Sequence, residues 1–269
     1  MEMEQAPAGV DPTVPSVARI YDYLLGGKDN FASDRAAATK LLELTPNARE
    51  GVQANRRFLS RAINLLVEAG VRQFLDIGAG LPTQENVHQV ALRAAPDARV
   101  VYVDNDPIVL THGRALLADN DQTIVVNGDL REPEAILSDP RIREHLDFDQ
   151  PVGLLMLAVL HFIPDDDVAE SVTATLRDQL VPGSGLVVSH LSFGDLDEDK
   201  LREGRELYTR TSAGSATPRS RAQILRFFDG FEIVEPGLVS TEDWRPETDL
   251  PSPPSLPGVN GYSGVGLLR

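Results

Sequence analysis

Apolar positions recur along the chain in two rhythms, and the change between them near residue 70 organises the rest of the reading. Val17, Ile20, Tyr21, Leu24 and Leu25 follow the 3, 4, 7, 8 spacing of one helical face. Ser16 and Pro15 stand at the start of that run, and the Gly26-Gly27 pair stops it. A second helix is expected from Ser33, as its cap, to Leu44, just before Pro46. A third opens at Asn47, with Glu50 three residues on in the manner of a capping box, and closes at Gly70. Residues 1–70 therefore read as a helical extension.

From residue 71 short apolar runs alternate with amphipathic segments. "RQFLDIG", "RVVYVDND", "TIVVNGD", "GLLMLAVLHF" and "GLVVSHLS" read as strands. Between them "ENVHQVALRAA", "PIVLTHGRALLAD", "EAILSDPRIREHL" and "DVAESVTATLRDQL" read as helices, and a further helical stretch surrounds 196–210. That βαβα alternation is the mark of a parallel sheet covered by helices on both faces. Near the end the rhythm breaks. "FEIVEPGLVS" and "GYSGVGLLR" are two strands with no helix between them, joined by the Pro-rich "WRPETDLPSPPSLPG", so an antiparallel pair is expected at one edge. The expected organisation is an α/β, doubly wound, Rossmann-like core over 71–269 behind the extension.

In such a sheet ligands bind at the carboxyl ends of the strands. Three acids end three successive predicted strands: Asp76, Asp104 and Asp129. Asp76 leads into a turn with Gly78 and Gly80, where the backbone turns tightly and lets a ligand approach. Asp104 is placed to accept both hydroxyls of a ribose, and Asp129 to accept from an exocyclic amine such as adenine N6. Singly, each has a plainer reading, since an Asp closing a strand is often the cap of the next helix, as expected for Asp106 before Pro107. The succession of three makes an adenosine site. A dinucleotide wants a third glycine and no acid near its pyrophosphate. Here Asp76 precedes the glycines and Pro82 stands where the third would be. That combination suits a ligand bearing ammonium and sulfonium groups and no phosphate, which S-adenosylmethionine is; an NAD-dependent oxidoreductase is the remote alternative.

Composition narrows the acceptor. The 269 residues carry a formal charge of −16, which repels nucleic-acid backbones. Two basic clusters, Arg56/Arg57/Arg61 and Arg219/Arg221/Arg226, read as solvated helix faces. There is no cysteine, so thiolate metal sites and cysteine nucleophiles are excluded, and the histidines form no HExxH. No metal is expected. The start lacks the signature of a signal peptide, and the longest near-apolar run, 153–163, is well short of the roughly 20 residues of a membrane helix. The expectation is a cytoplasmic protein without membrane partners.

"FLDIGAGLPTQENVH", "VVYVDNDP", "GDLREP" and "LLMLAVLHFIPD" resemble the class I S-adenosylmethionine-dependent methyltransferases. "PSVARIYDYLLGGKDNFASDR" is similar to an actinobacterial family of such proteins known as a domain of unknown function. The likeness runs from about Pro15 to Arg269. It implies a seven-stranded sheet of order 3-2-1-4-5-7-6 with the last strand antiparallel. It also implies that Asp76, Gly78 and Gly80 line the methionine side of the cofactor, Asp104 the ribose, and Asp129 with Leu130 the adenine, with Asn105 also expected at the cofactor. The missing third glycine departs from the general class I pattern.

For methyl transfer the protein supplies positioning, exclusion of water and, where needed, a base. His161, at the end of the fourth strand, is the candidate base; its plainer reading is a half-buried histidine bonded to backbone. His190 has the weaker case, and His88, His112 and His145 read as helix-surface residues. The fourth strand lacks the Asn/Asp-Pro-Pro-aromatic run of enzymes that methylate base amines, so a small-molecule acceptor is favoured over a nucleic acid. "YDYLLGGKDNF" reads as a lid, with Tyr21 against the cofactor and Gly26-Gly27 as hinge. Tyr208 and the loop 211–220 are expected to shape the acceptor pocket. A protein that binds S-adenosylmethionine or S-adenosylhomocysteine without catalysis, as a sensor, is the alternative from another class.

Overall fold

The computed structural model describes residue 6 and residues 9–82, 85–117, 120–192, 198–246 and 260–269. Three helices come first: α1 (Val17–Leu24), α2 (Ala32–Leu44) and α3 (Ala48–Glu68). Strands and helices then alternate as β1 (Gln73–Ile77), α4 (Val87–Ala94), β2 (Arg99–Asp104), α5 (Pro107–Leu116) and β3 (Thr123–Asn127). After them come α6 (Pro133–Ser138), α7 (Pro140–His145), β4 (Val152–Leu157), α8 (Asp166–Arg177), β5 (Gly185–Ser192), α9 (Glu198–Thr209) and α10 (Arg221–Arg226). Three more strands close the chain: β6 (Glu232–Ile233), β7 (Val239–Ser240) and β8 (Asn260–Leu267). The Pro-rich connection expected before β8 lies largely outside the described residues.

The sheet order is β3-β2-β1-β4-β5-β8-β6, with β7 also paired to β8. Strands β1 to β5 are parallel, and β8 runs antiparallel to β5 and β6. This is the expected topology with one difference. The segment read as a single strand, 231–240, is two short strands, because Pro236 and the positive-φ Gly237 interrupt it. The sheet therefore has eight strands, not seven. Pro140 likewise splits the helix expected over 134–146, with Asp139 capping the second piece through Arg141 N at 2.8 Å.

Strand alternation builds two cores. Leu75, Ile77, Val101, Val103, Leu154 and Met156 point to one face, under α6, α8 and α10. Phe74, Val100, Tyr102, Leu155 and Val187 point to the other, against α3 and α4. Leu66 of α3 sits where a Cβ on Gly153 or Gly185 would stand, within 3.0 and 2.3 Å. These glycines let α3 lie directly on the sheet, so the third helix of the 1–70 stretch belongs to the covering layer. The cap of α2 differs from expectation. Asp34 caps by accepting from Phe31 N at 2.7 Å, while Ser33 donates to Pro12 O. Buried Asp34 also accepts from Ser16 N and Arg19 Nε, tying α1 to α2. Among the described residues no helix is long and apolar enough to cross a membrane.

Candidate active site

The carboxyl ends of β1 to β5 open on one cavity of about 680 Å³, closed from above by residues of α1 and α3. All eight residues expected at a cofactor line it: Tyr21, Asp76, Gly78, Gly80, Asp104, Asn105, Asp129 and Leu130. His161 lines it too.

The glycine turn is held by the next strand's acid. Gly78 and Gly80 have φ of +76° and +67°. A Cβ on Gly78 would stand 2.5 Å from Val159, whereas Gly80 faces open space. The buried Asp104 carboxylate accepts from Gly80 N and from Asp106 N, each at 2.9 Å. Burial raises its carboxyl above the ordinary range, with the two amides opposing. Asp106 caps α5 through Ile108 N at 3.0 Å, as expected. It also accepts from Ser16 Oγ at 2.6 Å, which fixes the start of α1 to the β2 end of the cavity.

Asp76 is buried at the end of β1, and its carboxyl is pushed up to about 7. Loss of hydration is the main cause; the Arg56 guanidinium opposes it and Asp104 adds to it. Asp129 is the opposite case. Arg131 donates to it through its amide and Nε, each at 2.9 Å, and Asn105 Nδ2 lies 3.2 Å away. Those bonds hold its carboxyl down to about 2. Tyr21 donates to Val52 O at 3.2 Å and accepts from Asn55 Nδ2 at 3.0 Å. That arrangement turns Asn55 Oδ1, buried and without a partner among the described residues, into a spare acceptor on the cavity's helical side. Gly26-Gly27, read as a hinge, is a closed turn. Gly27 packs on Asp22, which accepts from Asp29 N at 3.0 Å and Asn30 Nδ2 at 2.9 Å.

At the β4–β5 side, Ala158 has φ +54°, an unusual conformation for a residue with a Cβ. Its amide is held by Ser189 O and Oγ, each at 3.0 Å. His161 follows in a 3₁₀ turn, buried, its ring 4.3 Å from Phe162 and 5.4 Å from His190. The Leu191 amide lies 3.5 Å from its Nδ1, the limit of a hydrogen bond. Burial, then His190 and Arg219, hold His161 well below the ordinary histidine range. His190 Nε2 faces an Arg219 N–H at 3.1 Å and Nδ1 faces Leu191 O at 2.8 Å, so the proton sits on Nδ1. Burial, with Arg219 nearby, lowers it to about 4.

Two clusters read as solvated need correction. Arg219 is buried and precedes α10 altogether. It donates to Leu160 O at 3.0 Å, Ile163 O at 2.8 Å and Asp166 Oδ1 at 2.9 Å. The signal was there: Ser220 and Gln223 have capping-box spacing, which starts the helix one residue later. Arg221 is on the surface as expected, and so is Arg226, paired with Glu170. Arg56 is half-buried beside the cavity, donates to Asn86 Oδ1 at 3.1 Å and acts on Asp76. Its place next to the buried stripe Ala54, Phe58, Leu59 was the available hint. Arg57 remains exposed. Neither His88 nor His145 is a free surface residue: His88 is half-buried with its Nδ1 2.8 Å from Tyr102 OH, and His145 Nε2 is 3.0 Å from Gln122 O. His112 lies 3.6 Å from Asp29. Among the described residues no group of acids and histidines is arranged to hold a metal.

The sheet order with its reversed strand, and an acid-led glycine turn at the first strand end, define a Rossmann-like methyltransferase fold. The chain belongs to the S-adenosyl methyltransferase family, whose profile matches residues 3–269. It is similar to the crystal structure of a candidate methyltransferase from Thermobifida fusca, with 42% identity, a TM-score of 0.88 and 98% of each chain covered. It is also similar to a DUF574 family protein from Streptomyces avermitilis, at 36% identity and a TM-score of 0.89, over 96% of this chain and 99% of that one. None of the curated proteins matches. S-adenosylmethionine is the family's cofactor, and the cavity fits it. A buried carboxylate at the glycine turn suits its ammonium, and the open space at Gly80 admits a ligand against the backbone.

Proposed function

We propose that the protein transfers a methyl group from S-adenosylmethionine to a small molecule bound in the same cavity. The observation that carries this is the convergence of Asp76, the Gly78–Gly80 turn, Asp104 and Asp129 on one cavity that continues past the cofactor residues to His161, Phe162 and Tyr208. Asp76, with Arg56 beside it, takes the amino-acid end of the cofactor. Asp104 with Asn105 takes the ribose, and Asp129 with Leu130 the adenine. When bound, the cofactor supplies an electrophilic methyl carbon on a sulfonium sulfur. The chain orients the acceptor and keeps water out. Residues of the 1–70 extension act as the roof over the 71–269 core, Tyr21 among them, pinned through Ser16–Asp106 and Arg19–Asp34. His161 is the base for an acceptor that sheds a proton. Its neutral imidazole is ready at physiological pH, though its low basicity gives it little pull.

The test is transfer of labelled methyl from S-adenosylmethionine to a pool of cell metabolites. Label in a small-molecule fraction supports the reading. Tight cofactor binding with no label transferred supports a sensor instead.

A further inference from the structure

The sheet order divides the cavity. The cofactor residues stand at β1, β2 and β3, so the other end of the cavity lies over β4, β5 and β8. That end is walled by Leu157, Val159, Phe162, Leu191 and Tyr208, with the Phe162 and Tyr208 rings 6.0 Å apart. Among the described residues that β4, β5, β7, β8 and their connections bring to the lining, Glu242, in the 3₁₀ turn Thr241–Asp243 that follows β7, is the charged side chain; Arg19 and Asp22 line the same cavity from α1. None of the described residues forms an ion pair with Glu242.

Arg61 of α3 donates to Thr241 O at 3.5 Å from outside the lining, and the cations on the lining and behind it are committed elsewhere. Arg219 is consumed by Leu160 O, Ile163 O and Asp166 behind the wall. Arg19 is paired with Asp34 and Arg131 with Asp129, while Arg56 stands toward Asp76 and Asn86. The two histidines on this side are kept neutral by burial. An acceptor bearing a carboxylate or phosphate would be desolvated here without a counter-charge, at high cost. A basic nitrogen is the matched group. Its N–H bonds find the Glu242 carboxylate, and a cationic head also gains from aromatic faces. The chain's charge of −16 draws cations toward the molecule. A bound ammonium first gives up one proton to water; the freed lone pair then attacks the methyl carbon as the carbon–sulfur bond breaks, leaving a methylated ammonium and a thioether. The transfer itself therefore needs no strong base, whereas an alcohol would need one.

We propose that the methyl acceptor is an amine with an apolar, aromatic-sized body, and that Glu242 is the residue that binds its nitrogen. This rests on the methyltransferase reading above. The test is calorimetric titration of the full chain, first with S-adenosylhomocysteine and then, once loaded, with phenethylamine, 2-phenylethanol and 3-phenylpropionate, which share a body and differ in head group. The amine is expected to bind at least tenfold more tightly than the alcohol, and the carboxylate not at all. Glu242→Gln should remove that tenfold preference and leave S-adenosylhomocysteine affinity unchanged; Glu242→Asp should keep the preference. The proposal is overturned if the alcohol or carboxylate binds as well as the amine, if no amine binds the loaded protein, or if Glu242→Gln leaves amine affinity intact. Failure of S-adenosylhomocysteine to bind in the first step would instead strike the cofactor reading, and the proposal with it.

Discussion

Replacing Arg219 by Met keeps most of the buried volume and removes only the guanidinium. Ile163 O would lose its donor, at about 1–3 kcal/mol, and Leu160 O would lose one of two, keeping the Ile163 amide at 3.1 Å. His190 Nε2 would lose one as well. The Asp166 pair adds little, because that carboxylate is 41% exposed and screened, so about 0–1 kcal/mol is assigned to it. The expected loss is ~3–5 kcal/mol, in line with breaking a buried charged network. For a chain of this size, 3 kcal/mol corresponds to a fall in Tm of about 6–12 °C. Urea unfolding followed by circular dichroism measures it, as a lower midpoint with an unchanged slope. The loss of the neighbouring cation should also raise the His190 pKa from its value of about 4, visible in its NMR titration. A stability loss below about 1 kcal/mol with His190 unmoved would refute the clamp described for the β4–α8 loop.

Two further outcomes are expected. Asp76 titrates near 7 when folded and near the ordinary carboxylate value when unfolded, so between those values the folded state holds the extra proton. Stability of the ligand-free protein should therefore fall as pH rises from about 4 to 7, and Asp76→Asn should flatten that slope; a wild-type slope equal to the variant's contradicts the assignment. Gly78→Ala combines a positive φ with a contact of 2.5 Å to Val159, and should cost about 2–4 kcal/mol and weaken cofactor binding. Adding Val159→Ala removes the 2.5 Å contact but leaves the Cβ of residue 159 at 2.9 Å, so it should recover part of the contact cost, and a double variant no more stable than Gly78→Ala would refute that contact.

The sheet was legible because its strands announce themselves. Near-continuous apolar runs such as "GLLML" and "RVVYV" end in an acid or a turn at regular intervals, and the missing helix before the last strand exposed the reversal. The candidate site was legible for the same reason: Asp76 and Asp104 lie at the ends of β1 and β2 and Asp129 two residues past β3, and topology alone brings such positions together. What escaped was set by tertiary packing. Arg19 and Asp34 look like helix-surface charges, yet they neutralise each other in the interior. Arg219 looks like part of a basic helix, yet it lies just before one and serves carbonyls from another segment. Glu242 stands in a turn with no periodic pattern, and it enters the cavity only because β7 pairs with β8. Apart from the capping-box spacing that sets Arg219 outside its helix, residues on these loops and the roof carry no signal that spacing can report.

Asp76, the Gly78–Gly80 turn, Asp104 and Asp129 are proposed to hold S-adenosylmethionine. Calorimetric titration of the purified chain with S-adenosylmethionine, S-adenosylhomocysteine and NAD tests that proposal most directly. The account predicts saturable one-to-one binding of the first two, with proton release near pH 6.5 as Asp76 ionises against the ammonium, and no binding of NAD. A folded protein that binds none of the three, or that binds NAD more tightly than S-adenosylmethionine, would contradict it.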